Sequence, residues 1–204
     1  MEQRPTHFLA LRLSHDPALV AAAERAQAAL CAAGLERCVA LAPASKAHVS
    51  LLLLRLPSPG DVALAARALR DLSAGGTLGE LRLAFPRLGC FESSGTVFME
   101  PEDAGAGAEA LAALQRACAD HMREALGPER CPPYGFTPHG TLAKRVPGGP
   151  GAVRAALGAA AAAYGPPPRL VRVAEVQLCR VGGRARWYEV AGSCPLRCAA
   201  NHAD

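Results

Sequence analysis

One unit of strand, turn and helix occurs twice in this chain, and that repetition limits the folds open to it. HVSLLLLRLPSPGDVALAARAL begins at His48, and HGTLAKRVPGGPGAVRAALGAA begins 91 positions later (139 − 48) at His139. In each copy a histidine and a hydroxyl stand two residues apart and a leucine follows (Leu51, Leu142). A basic residue (Arg55, Lys144) then precedes a Pro/Gly-rich turn and an Ala/Leu/Arg helix. A repeat this widely spaced is too long for a solenoid and suits two similar lobes. Strand side chains alternate between faces, so His48 shares a face with Ser50 and His139 shares one with Thr141. Two such pairs can grip a phosphate from both sides, with imidazoles moving protons and hydroxyls donating to phosphoryl oxygens.

With half of its 204 residues hydrophobic, the chain has ample material for a buried core. It carries no apolar run near the ~18–20 residues of a membrane-spanning helix. The opening MEQRPTHFLALRL reads as a strand rather than a leader. Eight cysteines at irregular spacing suggest reduced thiols of the cytoplasm or nucleus instead of a disulfide scaffold. Net charge is a mild +4, and of 22 basic residues only Lys46 and Lys144 are lysine, one in each motif. The arginine excess accompanies an Ala/Gly/Pro bias and is no nucleic-acid signal in itself. Either lysine can help to hold an anion. For Lys46, which precedes its strand, a solvated strand end is the plainer role.

Local patterns predict strands over 6–13, 39–41, 47–56, 80–88, 96–100, 136–145, 170–180 and 186–190, with a hairpin through 90–95. Helices are expected from Pro17 to Gly34, and over 61–74, 108–126 and 152–164. Hairpin-linked strands interspersed with helices imply an α+β chain with antiparallel sheets, not a doubly wound parallel one. The organisation expected is a single domain over residues 1–204, built of two lobes with one motif each.

P-loop, dinucleotide-fold, HExxH and nucleophile-elbow signatures are all missing, which argues against those chemistries. Cys194, Cys198 and His202 have ligand-like spacing but no fourth partner close by, so no metal site is predicted and no cofactor is expected. Tyr134 and Phe136, before the second motif, could stack on a base, with core packing the plainer role for Phe136. Lys144 and Arg145 could reach phosphate, with a solvated strand end an equal reading of Arg145. Trp187 and Tyr188 are read as packing for the last strand, and His7, His15, His121 and His202 as surface or capping residues.

The paired His-x-[Ser/Thr] motifs resemble those of the 2H phosphoesterase superfamily. FLALRL, KAHVSLLLLRL, FTPHGTLAKR and EVQLCRVGGRARWYEVAGSCPL resemble, more particularly, the central domain of A-kinase anchoring protein 7. The similarity runs from about Phe8 to Leu196. It implies a bilobal, pseudo-twofold α+β fold with two antiparallel sheets, flanking helices and a central cleft. It also implies metal-independent cleavage of phosphodiesters in nucleotides and RNA ends, such as 2′,5′-linked oligoadenylate or 2′,3′-cyclic phosphates. His48 and His139 would then be the acid–base pair, with Ser50 and Thr141 holding phosphoryl oxygens. Ser50 stands where threonine is commoner, which keeps the donor. The C-terminal CPLRCAANHAD offers no amphipathic helix for a kinase subunit, so kinase anchoring is not expected. The expected partner is a nucleotide or short oligonucleotide, bound by a monomer with no membrane role. A catalytically weak nucleotide or RNA-end binding module is the alternative, and a pure protein-interaction domain would leave the duplicated motifs without a purpose.

Overall fold

The structure, a computed structural model, describes residues 4–35, 40–74, 79, 81–91, 93–102, 106–133, 135–144, 149–165, 170–182 and 187–196. Strand β1 (His7–Arg12) leads to helix α1 (Pro17–Leu30). Asp16 caps that helix, its carboxylate accepting from Leu19 N–H at 2.9 Å, and Pro17 supplies the preset first turn. Leu19, Ala22, Ala23, Ala26 and Leu30 are buried at helical spacing. The helix stops before Gly34 and gives way to a π turn, Cys31–Leu35.

Then come β2 (Ala40–Leu41), β3 (His48–Leu54), α2 (Pro59–Ala74), β4 (Leu81–Leu83), β5 (Arg87–Phe91) and β6 (Thr96–Glu100). A reciprocal cap opens α2, with Ser58 Oγ accepting from Asp61 N–H and donating to the Asp61 carboxylate. Helix α3 (Ala106–Leu126) ends at Gly127, whose φ of +80 suits a residue without Cβ. The order closes with β7 (Gly140–Lys144), α4 (Gly149–Tyr164), β8 (Val171–Val173), β9 (Glu175–Arg180) and β10 (Val190–Pro195).

Every described strand pairing is antiparallel. The large sheet runs β10-β9-β1-β3-β7-β6-β5, with β2 beside β7, and β4 pairs with β8 in a second, two-stranded sheet. The expected α+β fold with two antiparallel sheets is present. Four strands differ from expectation, the second motif strand beginning at Gly140 rather than at 136. Residues 80–88 are two elements, as are 170–180, because 81–83 and 171–173 leave the large sheet to pair with each other. The last strand lies at 190–195 rather than 186–190.

The large sheet has one dry face and one open one. Leu9, Leu11, Val49 and Leu51 are fully buried on the helix-covered face, in a core that gathers residues of all four helices. On the opposite face, Phe8, Ala10 and Cys179 form a small separate cluster with Leu53, Trp187 and Tyr188 against it. A bulge in the β1–β3 ladder, where the partner shifts from Leu52 at Leu9 to Ser50 at Ala10, accounts for Leu51 and Leu52 both being buried. The six described cysteines are free thiols.

Candidate active site

The middle of the large sheet is a seam where its two halves meet. Between β3 and β7 a single residue pair is registered, Val49 with Gly140. Both are the central residues of their motifs, and both point into the core. Val49 is fully buried, and a Cβ on Gly140 would lie 2.9 Å from Met99 Cε, so glycine permits the close approach. Alternation turns the flanking residues to the open face. His48, Ser50, His139 and Thr141 accordingly line one cavity of about 500 Å³. That volume lies within the usual ~300–1,000 Å³ range of small-molecule sites.

Both imidazoles are held in the same way. His48 Nδ1 lies 2.7 Å from the carbonyl of Lys46, and His139 Nδ1 lies 2.7 Å from that of Thr137. A carbonyl only accepts, so each Nδ1–H donates and Nε2 is left as the nitrogen that gains or loses the working proton. The same bond suits the neutral and the protonated ring.

The two histidines differ in their surroundings. His48 sits in an aromatic corner, with ring centroids of Phe8 and Tyr188 at 5.2 and 5.3 Å and Trp187 edge-on at 6.3 Å. Burial pushes its imidazole below the ordinary histidine value; the Lys46 carbonyl opposes this, and the nearby charges of His139 and Lys144 add to it. Phe91 and Phe98 pack against His139 from the other half, at 5.1 and 5.3 Å.

Lys46 and Lys144 both line the cavity. The reading of Lys46 as a solvated strand end is therefore corrected: its Nζ lies 4.7 Å over the Tyr188 ring. Tyr188 likewise lines the cavity beside His48, with Trp187 edge-on to the same imidazole, rather than merely filling under the last strand. Trp187 donates to Gln177 Oε1 at 2.8 Å and carries the Arg12 guanidinium over its face at 4.7 Å. Of the remaining expected substrate-binding residues, Phe136 is partly buried against the main core, away from the cavity lining. Tyr134 and Arg145 lie outside the described residues, as do Cys198 and His202. His7 is buried, not on the surface, with Nδ1 3.0 Å from Thr6 Oγ1.

Phe8 and Arg12 were missed from sequence, and Tyr188 was read only as packing. The signal for the first two was present, since in FLALRL they alternate with Leu9 and Leu11. Arg12 is registered with His48 and Ala10 with Ser50, so the first strand shares the motif's face.

Comparison with known proteins agrees with this arrangement. Residues 15–185 match the family model described as the 2′-5′ RNA ligase superfamily. The fold is similar to that of TT0787 of Thermus thermophilus, with a TM-score of 0.65 at 23% identity over 95% of this chain and 99% of that one. Escherichia coli LigT complexed with 3′-AMP gives 0.57 at 18%, covering 95% and 96%. The MHV ns2 PDE domain gives 0.54 at 16%, covering 88% and 100%. With a family match over most of its length and both histidine motifs brought into one cleft, the chain belongs to the 2′-5′ RNA ligase superfamily, the 2H phosphoesterases.

Proposed function

We propose that this protein is a metal-independent phosphodiesterase acting on short RNA or oligonucleotide phosphodiesters, either 2′,5′ linkages or 2′,3′-cyclic phosphate ends. The observation that supports this best is the matched setting of His48 and His139, each with Nδ1 tied to the carbonyl two residues back, in one cavity with Ser50 and Thr141. Burial favours a neutral His48, which suits it as the base that deprotonates the attacking hydroxyl or water. His139 then delivers a proton to the leaving ribose oxygen, and the Ser50 and Thr141 hydroxyls hold the non-bridging oxygens as charge gathers on them. The LigT structures include complexes with 3′-AMP, ATP and NADP+, which supports a nucleotide-like occupant here.

Within the superfamily, the motif segments support a position beside the central domain of A-kinase anchoring protein 7 and the C-terminal domain of leukocyte receptor cluster member 9. The two halves act as one domain, since the site needs a motif from each. The six described cysteines are free thiols, which fits a cytoplasmic or nuclear setting. Among the described residues no helix is long and apolar enough to cross a membrane.

The deciding experiment follows 2′,5′-linked oligoadenylate and RNA ending in a 2′,3′-cyclic phosphate, in EDTA, with wild type and His139→Ala. Cleavage of either substrate that disappears in the variant is expected. Retained binding without cleavage of either would replace the enzyme with a nucleotide or RNA-end binding module.

A further inference from the structure

The two histidine motifs are nearly interchangeable, but the cations around them are not. The bridge between Val49 and Gly140 sets a register in which His48 lies across from Thr141 and Ser50 across from His139. Followed outward, that register puts Lys46 and Lys144 at the same end of the seam, beyond the His48–Thr141 rung. The repeat offset of 91 residues maps Lys46 onto Thr137 (46 + 91) and Lys144 onto Leu53 (144 − 91), so the opposite end has no equivalent ammonium.

The flanking strands repeat the bias. Arg12 is registered with His48 on one side. On the other, the residue after the Met99–Gly140 pair is Glu100, which forms an ion pair with Arg87 at 2.8 Å. That pair is neutral as a whole, whereas both lysines line the cavity at their end of the seam. Lysine is moreover confined to these two positions among 22 basic residues, and both line the cavity. An ammonium is a compact point charge that can follow a phosphate as it shifts, where a guanidinium would clamp it in one plane.

A single phosphodiester has one negative charge, and the two motif hydroxyls already serve its free oxygens. We propose that the lysine end of the cleft is a subsite for a second, non-scissile phosphate. The substrate is then an oligonucleotide linkage with a further phosphate on one side, not a nucleoside cyclic monophosphate. The subsite also sets which way the substrate lies across an otherwise symmetric pair of histidines. This rests on the phosphodiesterase reading above.

The test uses three adenylyl-(2′,5′)-adenosine dinucleotides: one without a terminal phosphate, one with a 5′-phosphate and one with the phosphate at the other terminus. Turnover by wild type, Lys46→Gln, Lys144→Gln and Lys144→Arg is compared in EDTA, and Kd values are taken for the same ligands in a His139→Ala background. One phosphorylated dinucleotide, and only one, should be preferred by about 10- to 100-fold, the range of a charge-assisted hydrogen bond. That preference should collapse toward unity in the glutamine variants and survive in Lys144→Arg. Equal treatment of all three ligands by wild type would overturn the subsite, as would lysine variants that weaken all three in proportion. Preference for both phosphorylated forms would overturn the fixed direction. Should wild type cleave none of them, the 2′,5′ form of the phosphodiesterase reading fails, and the Kd ratios alone still decide the subsite.

Discussion

Gly89→Ala should damage the site through Phe98 without touching a catalytic group. A Cβ at position 89 would lie 2.6 Å from Phe98 Cε2 and 2.8 Å from Cζ, where ordinary contact begins near 3.4 Å. The ring must therefore retreat by 0.8 Å (3.4 − 2.6) or the two strands must part. Phe98 is only 6% exposed, and it is flanked by Phe91 at 4.4 Å and His139 at 5.3 Å. The displacement thus passes to the imidazole. Overpacking of this kind costs about 1–3 kcal/mol. For a domain of this size each kcal/mol lowers Tm by roughly 2–4 °C, so the expected fall is about 2–12 °C. A misplacement approaching 1 Å near the reacting atoms costs on the order of 100-fold in rate, which puts the loss of kcat at about 10- to 100-fold. Calorimetry and turnover of the oligoadenylate substrate read the two effects. Phe98→Leu added to Gly89→Ala should recover part of the lost Tm, although Phe98→Leu alone lowers it. Wild-type Tm and wild-type turnover in Gly89→Ala would refute the close-packing reasoning.

Three further outcomes are expected. Thr141→Val removes a phosphoryl-oxygen donor and should lower kcat by about 10²–10³-fold, while Thr141→Ser, which copies the other motif, should stay within a few-fold of wild type; equal losses in both would show that the hydroxyl is not the working group. Tyr164→Phe strips a fully covered bond, since the Tyr164 hydroxyl donates to the Phe85 carbonyl at 3.0 Å, and should cost about 1–3 kcal/mol in urea unfolding with little change in kcat. Stability should fall between pH 7 and pH 5. Burial lowers the proton affinity of His48 and of His7, with the Arg180 charge adding to the effect on His7 and Glu189 opposing it. Below the ordinary value of 6.5 the unfolded chain binds protons that the folded one refuses, so acid favours unfolding. A Tm that is flat or rising toward pH 5, or one whose slope survives in a His7→Phe/His48→Phe double variant, would contradict this.

The reacting groups were legible in the sequence because they depend on local spacing. Alternation alone put His48 with Ser50 and His139 with Thr141, and the helix stop at Gly127 followed from a residue able to adopt positive φ. What the sequence concealed depends on strand order. Phe8 and Tyr188 reach His48 only because β1 lies beside β3, with the 187–188 segment folded over the same face. The leucines at 81 and 83 and the buried Phe85 continue one alternating pattern. No local signal marks the end of β4, and only its pairing with the distant β8 sets it apart. Lys46 was misjudged for the same reason, since its partner Tyr188 comes from the far end of the chain.

The seam has a mechanical consequence. Each histidine is braced within its own half, β1 and β3 being registered at six positions while β3 and β7 share only one. The separation of the imidazoles is thus set less by the pairing of the strands that carry them than by what else joins the halves, β2 beside β7 in the sheet and the helices behind it. There α1 packs on α4, α2 packs on α3, and Gln27 of α1 donates to the Leu142 carbonyl of the second motif strand at 2.9 Å. Those contacts act as the fulcrum of a pair of tongs. Substitutions along the helices, far from any substrate, would change how wide the jaws stand.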